Sequence, residues 1–230
     1  MAPHRSRSGP GSGVSRLLDL AFPARCAGCG REGAALCTAC LPSVAARLDR
    51  RAGISLGLPS DIPPPLLQLE WCAAYSGVVR RALRALKYDG ERRLEEPLGR
   101  ALAARWRVAG AGGDVLVPVP VHASRARERG FDQAVLLARV AARELGLPDL
   151  RALERRRATA AQYQLGRRDR ASNVAAAFAL RPSAAGRVSG RWVILVDDVV
   201  TTGATLAACA QALLAGGALA VSALTVARER

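Results

Sequence analysis

The sequence predicts an α/β fold, a mostly parallel sheet with helices on both faces, with a small cysteine-rich module at its N-terminal end. Three observations predict it. From residue 114 onward, short aliphatic runs alternate with helix-length amphipathic segments, the pattern of strands joined by crossover helices. One run, VILV at 193–196, has no polar break, which suits a strand covered on both faces. Four of the six cysteines stand as two neighbouring C-x-x-C pairs.

With 230 residues, half of them apolar, the chain can bury one sizeable core, or one domain and a small module. Residues 1–16, MAPHRSRSGPGSGVSR, are basic and rich in Ser, Gly and Pro, and read as a disordered tail without the apolar stretch of a secretory signal. No apolar run approaches the roughly 18 residues needed to cross a bilayer. The expectation is a cytoplasmic protein with no membrane span, in a compartment where thiols stay reduced. Lys+Arg number 34 against 19 Asp+Glu, a formal +15, which suits phosphates, nucleotides or nucleic acid as partners. Lys87 is the only lysine and alanine is abundant, so a coding bias toward arginine accounts for the charge equally well.

Residues 17–50 form the module. Cys26-Ala-Gly-Cys29 and Cys37-Thr-Ala-Cys40 each present two sulfurs from one tight turn, and two such knuckles close a tetrahedral thiolate shell around zinc. Four thiolates leave no position open for water, so this zinc is structural. Cys72 and Cys209 stand among apolar neighbours and read as buried packing residues. Residues 51–70 contain Pro63-Pro64-Pro65, which continues neither helix nor interior strand, and read as a linker.

Beyond the linker, Trp71 to Tyr75 reads as a short strand. Val78 to Leu86 has helical spacing, with Val78, Val79, Leu83 and Leu86 apolar and arginines opposite. Asp89-Gly90 makes a turn, and Leu94 to Trp106 is a second amphipathic helix. DVLVPVP (114–120) is a strand, FDQAVLLARVAARELG (131–146) a helix ended by Gly146, and AAAFAL (175–180) a strand. RWVILVDD (191–198) is a buried strand, ATLAACAQALLAGG (204–217) a helix and ALAVSALTVA (218–227) the last strand. Ligands of parallel sheets bind beyond the carboxyl ends of the strands, which directs attention to the turns after VPVP and VILV.

The second turn carries the chemistry. VILVDDVVTTGAT (193–205) runs from a buried strand through Asp197 and Asp198 into Thr201-Thr202-Gly203-Ala204-Thr205 at a helix start. Free N–H groups and the helix dipole favour a phosphate there, threonine hydroxyls add donors, and Gly203 admits close approach. Two carboxylates beside an anion site need sugar hydroxyls, Mg²⁺, or both as partners. A phosphorylated sugar satisfies every part.

Over its whole length this stretch resembles the phosphoribosyl-diphosphate binding motif of type I phosphoribosyltransferases. The N-terminal C-x-x-C pairs, V-P-V-P with the following R-x-R-x-R-G-F-D-Q (Arg125 to Gln133), T-A-A-Q-Y-Q-L and Arg170-Ala-Ser-Asn173 are similar to the ComF family of phosphoribosyltransferase-like competence proteins. The resemblance makes 71–230 a phosphoribosyltransferase-like domain. It implies that Asp197 and Asp198, the candidate catalytic residues, hold the ribose 2′- and 3′-hydroxyls, and that Val199, Val200, Thr201, Thr202, Gly203, Ala204 and Thr205 bind the 5′-phosphate. It also implies that the turn after Val119-Pro120 faces the diphosphate through a peptide of unusual conformation, and that residues 154–170 are a mobile loop closing over the site. The family commonly has Asn where Asp132 stands; Asp132 reads as a helix N-cap, where the two are comparable.

Arg125, Arg127 and Arg129 can fork onto phosphate oxygens, and Lys87 offers a compact charge to a diphosphate or a substrate carbonyl. The expected reaction is displacement of diphosphate from ribose C1, with Asp198 facing the developing cation, Asp197 supporting hydroxyl or metal contacts, and Mg²⁺ on the leaving group. Two alternatives stand. One is a catalytically inactive module for single-stranded DNA import, working with a helicase-type competence protein, which the resemblance implies. The other is nucleobase salvage, with Trp192 or Tyr163 stacking on the base.

Overall fold

The computed structural model describes residues 24–50, 62–109, 112–121, 123–156 and 177–229. The expected tail, most of the linker, Tyr163, Arg170 to Asn173 and most of the expected covering loop lie outside the described residues.

The first described element is a short helix, α1 (Leu41–Val44), at the end of the second cysteine pair. Then come β1 (Leu69–Ala74), α2 (Gly77–Tyr88), α3 (Glu95–Ala109), β2 (Val115–Pro118), α4 (Ala123–Arg129) and α5 (Gln133–Leu145). The chain continues through β3 (Leu153–Arg155), β4 (Phe178–Leu180), α6 (Ala185–Val188), β5 (Trp192–Val200), α7 (Ala204–Ala215) and β6 (Ala220–Arg228). Four strands form one sheet in the order β1-β6-β5-β2, every neighbouring pair parallel.

Both faces of this sheet are covered, as an unbroken aliphatic strand requires. Successive side chains of a strand point to opposite faces. Along β5, Ile194 and Val196 enter a core shared with Leu83 and Leu86 of α2, Leu98 of α3 and Leu137 of α5. Val193 and Leu195 enter the opposite core with Leu206 and Leu213 of α7, Val188 and Phe178. In α2 the buried residues are Val79, Ala82, Leu83 and Leu86, spaced i, i+3, i+4 and i+7, so one stripe meets the sheet while Arg80 and Arg84 face water. Helices α3 and α5 touch at Gly99, where a Cβ would lie 2.5 Å from Val140 Cβ; only glycine allows that approach.

Where the structure departs from the expectations, local geometry explains it. The AAAFAL strand shrinks to β4, which pairs antiparallel with β3 in a separate two-stranded ribbon and not in the main sheet. Its partner Leu153–Arg155 lies in a segment whose polar, arginine-rich composition gave no strand signal. Arg125 to Arg129, to which the sequence pattern assigned no element, belong to helix α4. Strand β5 extends through both aspartates to Val200, because β6 runs beside it that far, pairing Asp197 with Thr225 and Val200 with Arg228. The acids therefore project from the last turns of the pleat.

A buried charge cluster joins the end of the cysteine module to the sheet. Arg47 and Arg105 are almost wholly buried around Glu70. Arg105 Nε donates to Glu70 Oε2 at 2.9 Å and its Nη1 to the Arg47 carbonyl at 2.7 Å. Arg47 Nε donates to the Trp71 carbonyl at 3.1 Å while its guanidinium lies 3.8 Å from the centre of the Trp71 ring. Arg47 tolerates such burial by stacking on an aromatic face, and Arg105 by spreading its donors over Glu70 and the Arg47 and Arg50 carbonyls.

Candidate functional site

Because β2 and β5 are parallel neighbours, with Pro118 opposite Val196, the two turns singled out in the sequence open at the same edge of the sheet. Between them lies a cleft of about 170 Å³. Asp197, Asp198 and Thr205 line it from β5 and α7, Val119 and Pro120 from the end of β2, Arg129 from α4, and Lys87 from the last turn of α2. Residues scattered over more than a hundred positions of sequence thus meet in one place.

Lys87 Nζ forms an ion pair with Asp198 Oδ2, and both side chains are largely buried. Among the described residues that Asp198 oxygen has no hydrogen-bonding partner besides this ion pair, so Lys87 supplies the charge that offsets its burial at 5% exposure. Asp197 is open to the cleft on one side, and its Oδ1 accepts the Asp198 N–H at 2.8 Å. Burial, then the neighbouring Asp198 charge, push the Asp197 carboxyl well above the usual carboxylate range. The paired acids are therefore poised for a partner that brings hydroxyl donors or positive charge.

The loop that follows encloses a small hollow at the start of α7. Asp197 and residues 199–206, Val199 and Val200 included, line a hollow of about 50 Å³ continuous with the strand end. Thr201, Thr202, Ala204 and Thr205 are exposed. Gly203 sits at φ 80°, left-handed, and a Cβ there would lie 2.3 Å from Pro63 Cγ, so no other residue fits. The first N–H groups of any helix lack intrahelical acceptors. In α7 the Ala204 N–H makes a long 3.4 Å bond to Thr202 Oγ1.

Arg129 is held by two contacts: its Nη1 donates to Gln133 Oε1 at 3.0 Å, and its guanidinium lies 5.1 Å from the Tyr88 ring centre. Arg127 is exposed on α4 and does not line the cleft; the Arg125 side chain is outside the described residues. Sequence reasoning missed Arg155, Gln133 and Tyr88, all on the cleft wall. Arg155 lay hidden in an arginine-dense segment with no spacing to distinguish it. Asp132 is the expected N-cap, accepting the N–H groups of Ala134 at 3.0 Å and Val135 at 3.4 Å. Its second oxygen accepts the Val121 N–H at 3.3 Å, so it also fixes the turn that follows Pro120.

Two expectations resolve as packing. Among the described residues the cis peptide bond joins Pro64 and Pro65, while His122, in the turn after Pro120 where the resemblance implies a peptide of unusual conformation, lies outside the described residues. Trp192 packs at the opposite end of β5, its Nε1 donating to Ser222 Oγ at 3.0 Å, away from the cleft. Cys72 and Cys209 are buried, and burial pushes the Cys72 thiol up to about 12 and Cys209 well above its ordinary value.

At the N-terminal module the sulfurs of Cys26, Cys29, Cys37 and Cys40 all lie within 4.8 Å of one another, with Cys29 and Cys37 at 3.6 Å. A tetrahedral zinc with Zn–S bonds of about 2.3 Å separates its sulfurs by roughly 3.8 Å, so the donor set suits a metal such as zinc. Burial raises the Cys26 thiol, but the N–H groups of Cys37, Cys29 and Gly28 outweigh it and bring Cys26 down to about 6. Burial, then hydrogen bonds with the other three thiols, hold Cys40 up at about 12. Arg81 of α2 anchors this knuckle to the domain, donating from Nε at 3.0 Å and Nη2 at 2.7 Å to the Gly28 carbonyl.

Comparison with known proteins agrees with this arrangement. Residues 131–230 match the phosphoribosyl transferase domain family. The chain is 35% identical over 203 residues to the DNA utilization protein YhgH of Escherichia coli K12, covering 81% of this chain and 87% of that protein. It is 39% identical over 94 residues to competence protein F of Haemophilus influenzae, covering 40% of this chain and 41% of that protein. With competence protein ComFC of Bacillus subtilis it shares 36% identity over 116 residues, half of this chain and 45% of that protein. With its parallel sheet, its acid-and-threonine strand end and its N-terminal cysteine cluster, the chain belongs to the ComF family of phosphoribosyltransferase-like proteins.

Proposed function

We propose that the cleft binds phosphoribosyl diphosphate together with Mg²⁺ and transfers the phosphoribosyl group to an acceptor. The observation that carries this reading is the meeting of Asp197, Asp198, Lys87, Arg129, the Val119-Pro120 turn and Thr205 around one cleft. The exposed hydroxyls of Thr201, Thr202 and Thr205, with the N–H groups of Gly203 and Ala204, take the 5′-phosphate. Asp197 and Asp198 take the ribose hydroxyls. The diphosphate lies toward Pro120, where Arg129 and Lys87 share its charge.

In the reaction the C1–O bond to diphosphate breaks with its electron pair leaving on the diphosphate, and the acceptor's lone pair forms the new bond to C1. Asp198 lies nearest the developing ribose cation and Asp197 orients the hydroxyls. Mg²⁺, when bound with the diphosphate, supplies positive charge to the leaving group, and the raised Asp197 carboxyl suits a site completed by such a cation. Lys87 holds Asp198 in place until ligand arrives and then turns to the diphosphate. Zinc in the four-cysteine module, residues 17–50, serves structure alone.

Calorimetric titration of the full chain with phosphoribosyl diphosphate and Mg²⁺ tests this reading. Binding to the parent chain, and at least tenfold weaker binding to Asp197→Ala and Asp198→Ala variants with unchanged circular dichroism, is expected; equal affinity in all three contradicts it.

A second reading rests on the +15 charge and on relatives named for DNA utilization and competence. The protein then handles single-stranded DNA in the cytoplasm, beside a helicase-type partner, with the sugar-phosphate site as a regulatory pocket. Affinity for single-stranded DNA that falls steeply with salt supports it, and no shift even at low salt contradicts it.

A further inference from the structure

A second, larger hollow has no part in this chemistry. It is an apolar groove of about 450 Å³ between the cysteine module and α3, with Leu36, Leu41 and Ala45 on one wall and Pro97, Ala101 and Ala104 on the other. Leu41 is left 41% exposed at its edge, although Leu36 beside it is 8% exposed. Water against such a surface is unfavourable, and an apolar strip of this kind calls for a covering partner. Arg93, Glu96 and Arg100 rim it.

We propose that the groove is the seat of this chain's own segment Leu17-Leu18-Asp19-Leu20-Ala21-Phe22, which lies outside the described residues. The described chain begins at the groove's edge. Ala24 accepts the Gly33 N–H at 2.8 Å, Arg25 bridges to Glu32, and Ala34 and Ala35 line the groove. Phe22 is two positions before Ala24 and Leu17 seven. At no more than about 3.6 Å per residue the segment reaches up to roughly 25 Å, ample to run along the hollow.

Five of its six side chains are apolar, and the sixth, Asp19, is opposite in sign to Arg93 and Arg100 on the rim. A covalently attached strip competes at a high effective concentration with any free peptide or second copy. Seated, it covers Leu41 and clasps the module against α3, adding an apolar contact to those made by Arg81 and Arg105.

Photo-cross-linking of the full chain decides the matter. With the rim position changed, Arg100→p-benzoyl-L-phenylalanine, irradiation should join residue 100 to residues 17–22 of the same chain, read by mass spectrometry of the monomer band. The same probe at exposed Leu219 should not. A Leu17→Asp, Leu18→Asp chain carrying the Arg100 probe should lose at least four-fifths of that link. Links between two chains, links only to the groove walls, or an undiminished yield in the aspartate variant each overturn the proposal. The readout does not involve phosphoribosyl diphosphate, so its failure leaves the reading of the cleft untouched.

Discussion

Lys87 and the two aspartates show how few side chains set the character of the cleft. Two adjacent carboxylates in a buried strand repel one another, and the fold resolves this by pairing Asp198 with the chain's only lysine and leaving Asp197 inclined to hold a proton. The second half of that resolution predicts a pH dependence. A carboxyl whose folded pKa is raised binds a proton that the unfolded chain has released. Its contribution to stability is full below the unfolded value of about 3.9 and is lost as pH rises through the folded value. An Asp197→Asn chain escapes that loss. In the absence of ligand it should melt higher than the parent at pH 8, with the difference shrinking toward pH 4; a difference that grows on acidification contradicts the assignment. Lys87 was singled out in the sequence because it stands alone among arginines, whereas its partner was not legible, since nothing in the sequence places position 87 beside position 198.

Strands β2 and β5 and helix α7 were legible because their signals are local: an unbroken aliphatic run, then threonines and a glycine at a helix start. The ribbon β3–β4 was not, because a three-residue pair on either side of an arginine-rich stretch carries no period of its own and is set by tertiary pairing. Helix α5 joins the two cases. Its N-cap was readable in Asp132, yet the bond from Val121 N–H to the other carboxylate oxygen appears only in three dimensions. Asp132→Asn keeps the cap through its carbonyl oxygen but turns a donor toward Val121 or leaves that N–H unmet, while Asp132→Ala removes both. Denaturant unfolding should show a loss of about 1–2 kcal/mol for alanine and clearly less for asparagine. Equal losses would mean that the cap is not what the carboxylate provides.

At the largest scale, the described residues form a phosphoribosyltransferase-like domain with a cysteine knuckle at one corner. The knuckle touches α2 through Arg81, and α2 carries Lys87 into the cleft six residues later, so the module and the site share one helix. Removing the metal with a chelator should release close to one zinc per chain, expose four reactive thiols and lower the melting temperature by several degrees, as expected when a closed structural site is opened. No change in melting on release of the metal contradicts a structural role. The parallel sheet was foreseeable at this level from alternation of element types alone. The cleft's inventory was foreseeable only in part, since Arg155, Gln133 and Tyr88 reach it by topology. In the proposed function, the strand end bearing Asp197 and Asp198 receives a phosphorylated pentose. A crystal of the full chain soaked with phosphoribosyl diphosphate and Mg²⁺ tests it most directly. Difference density should show the 5′-phosphate within hydrogen-bond reach of the loop at 201–205 and the ribose hydroxyls on the two aspartates; ligand density elsewhere, or none there at saturating concentration, would contradict it.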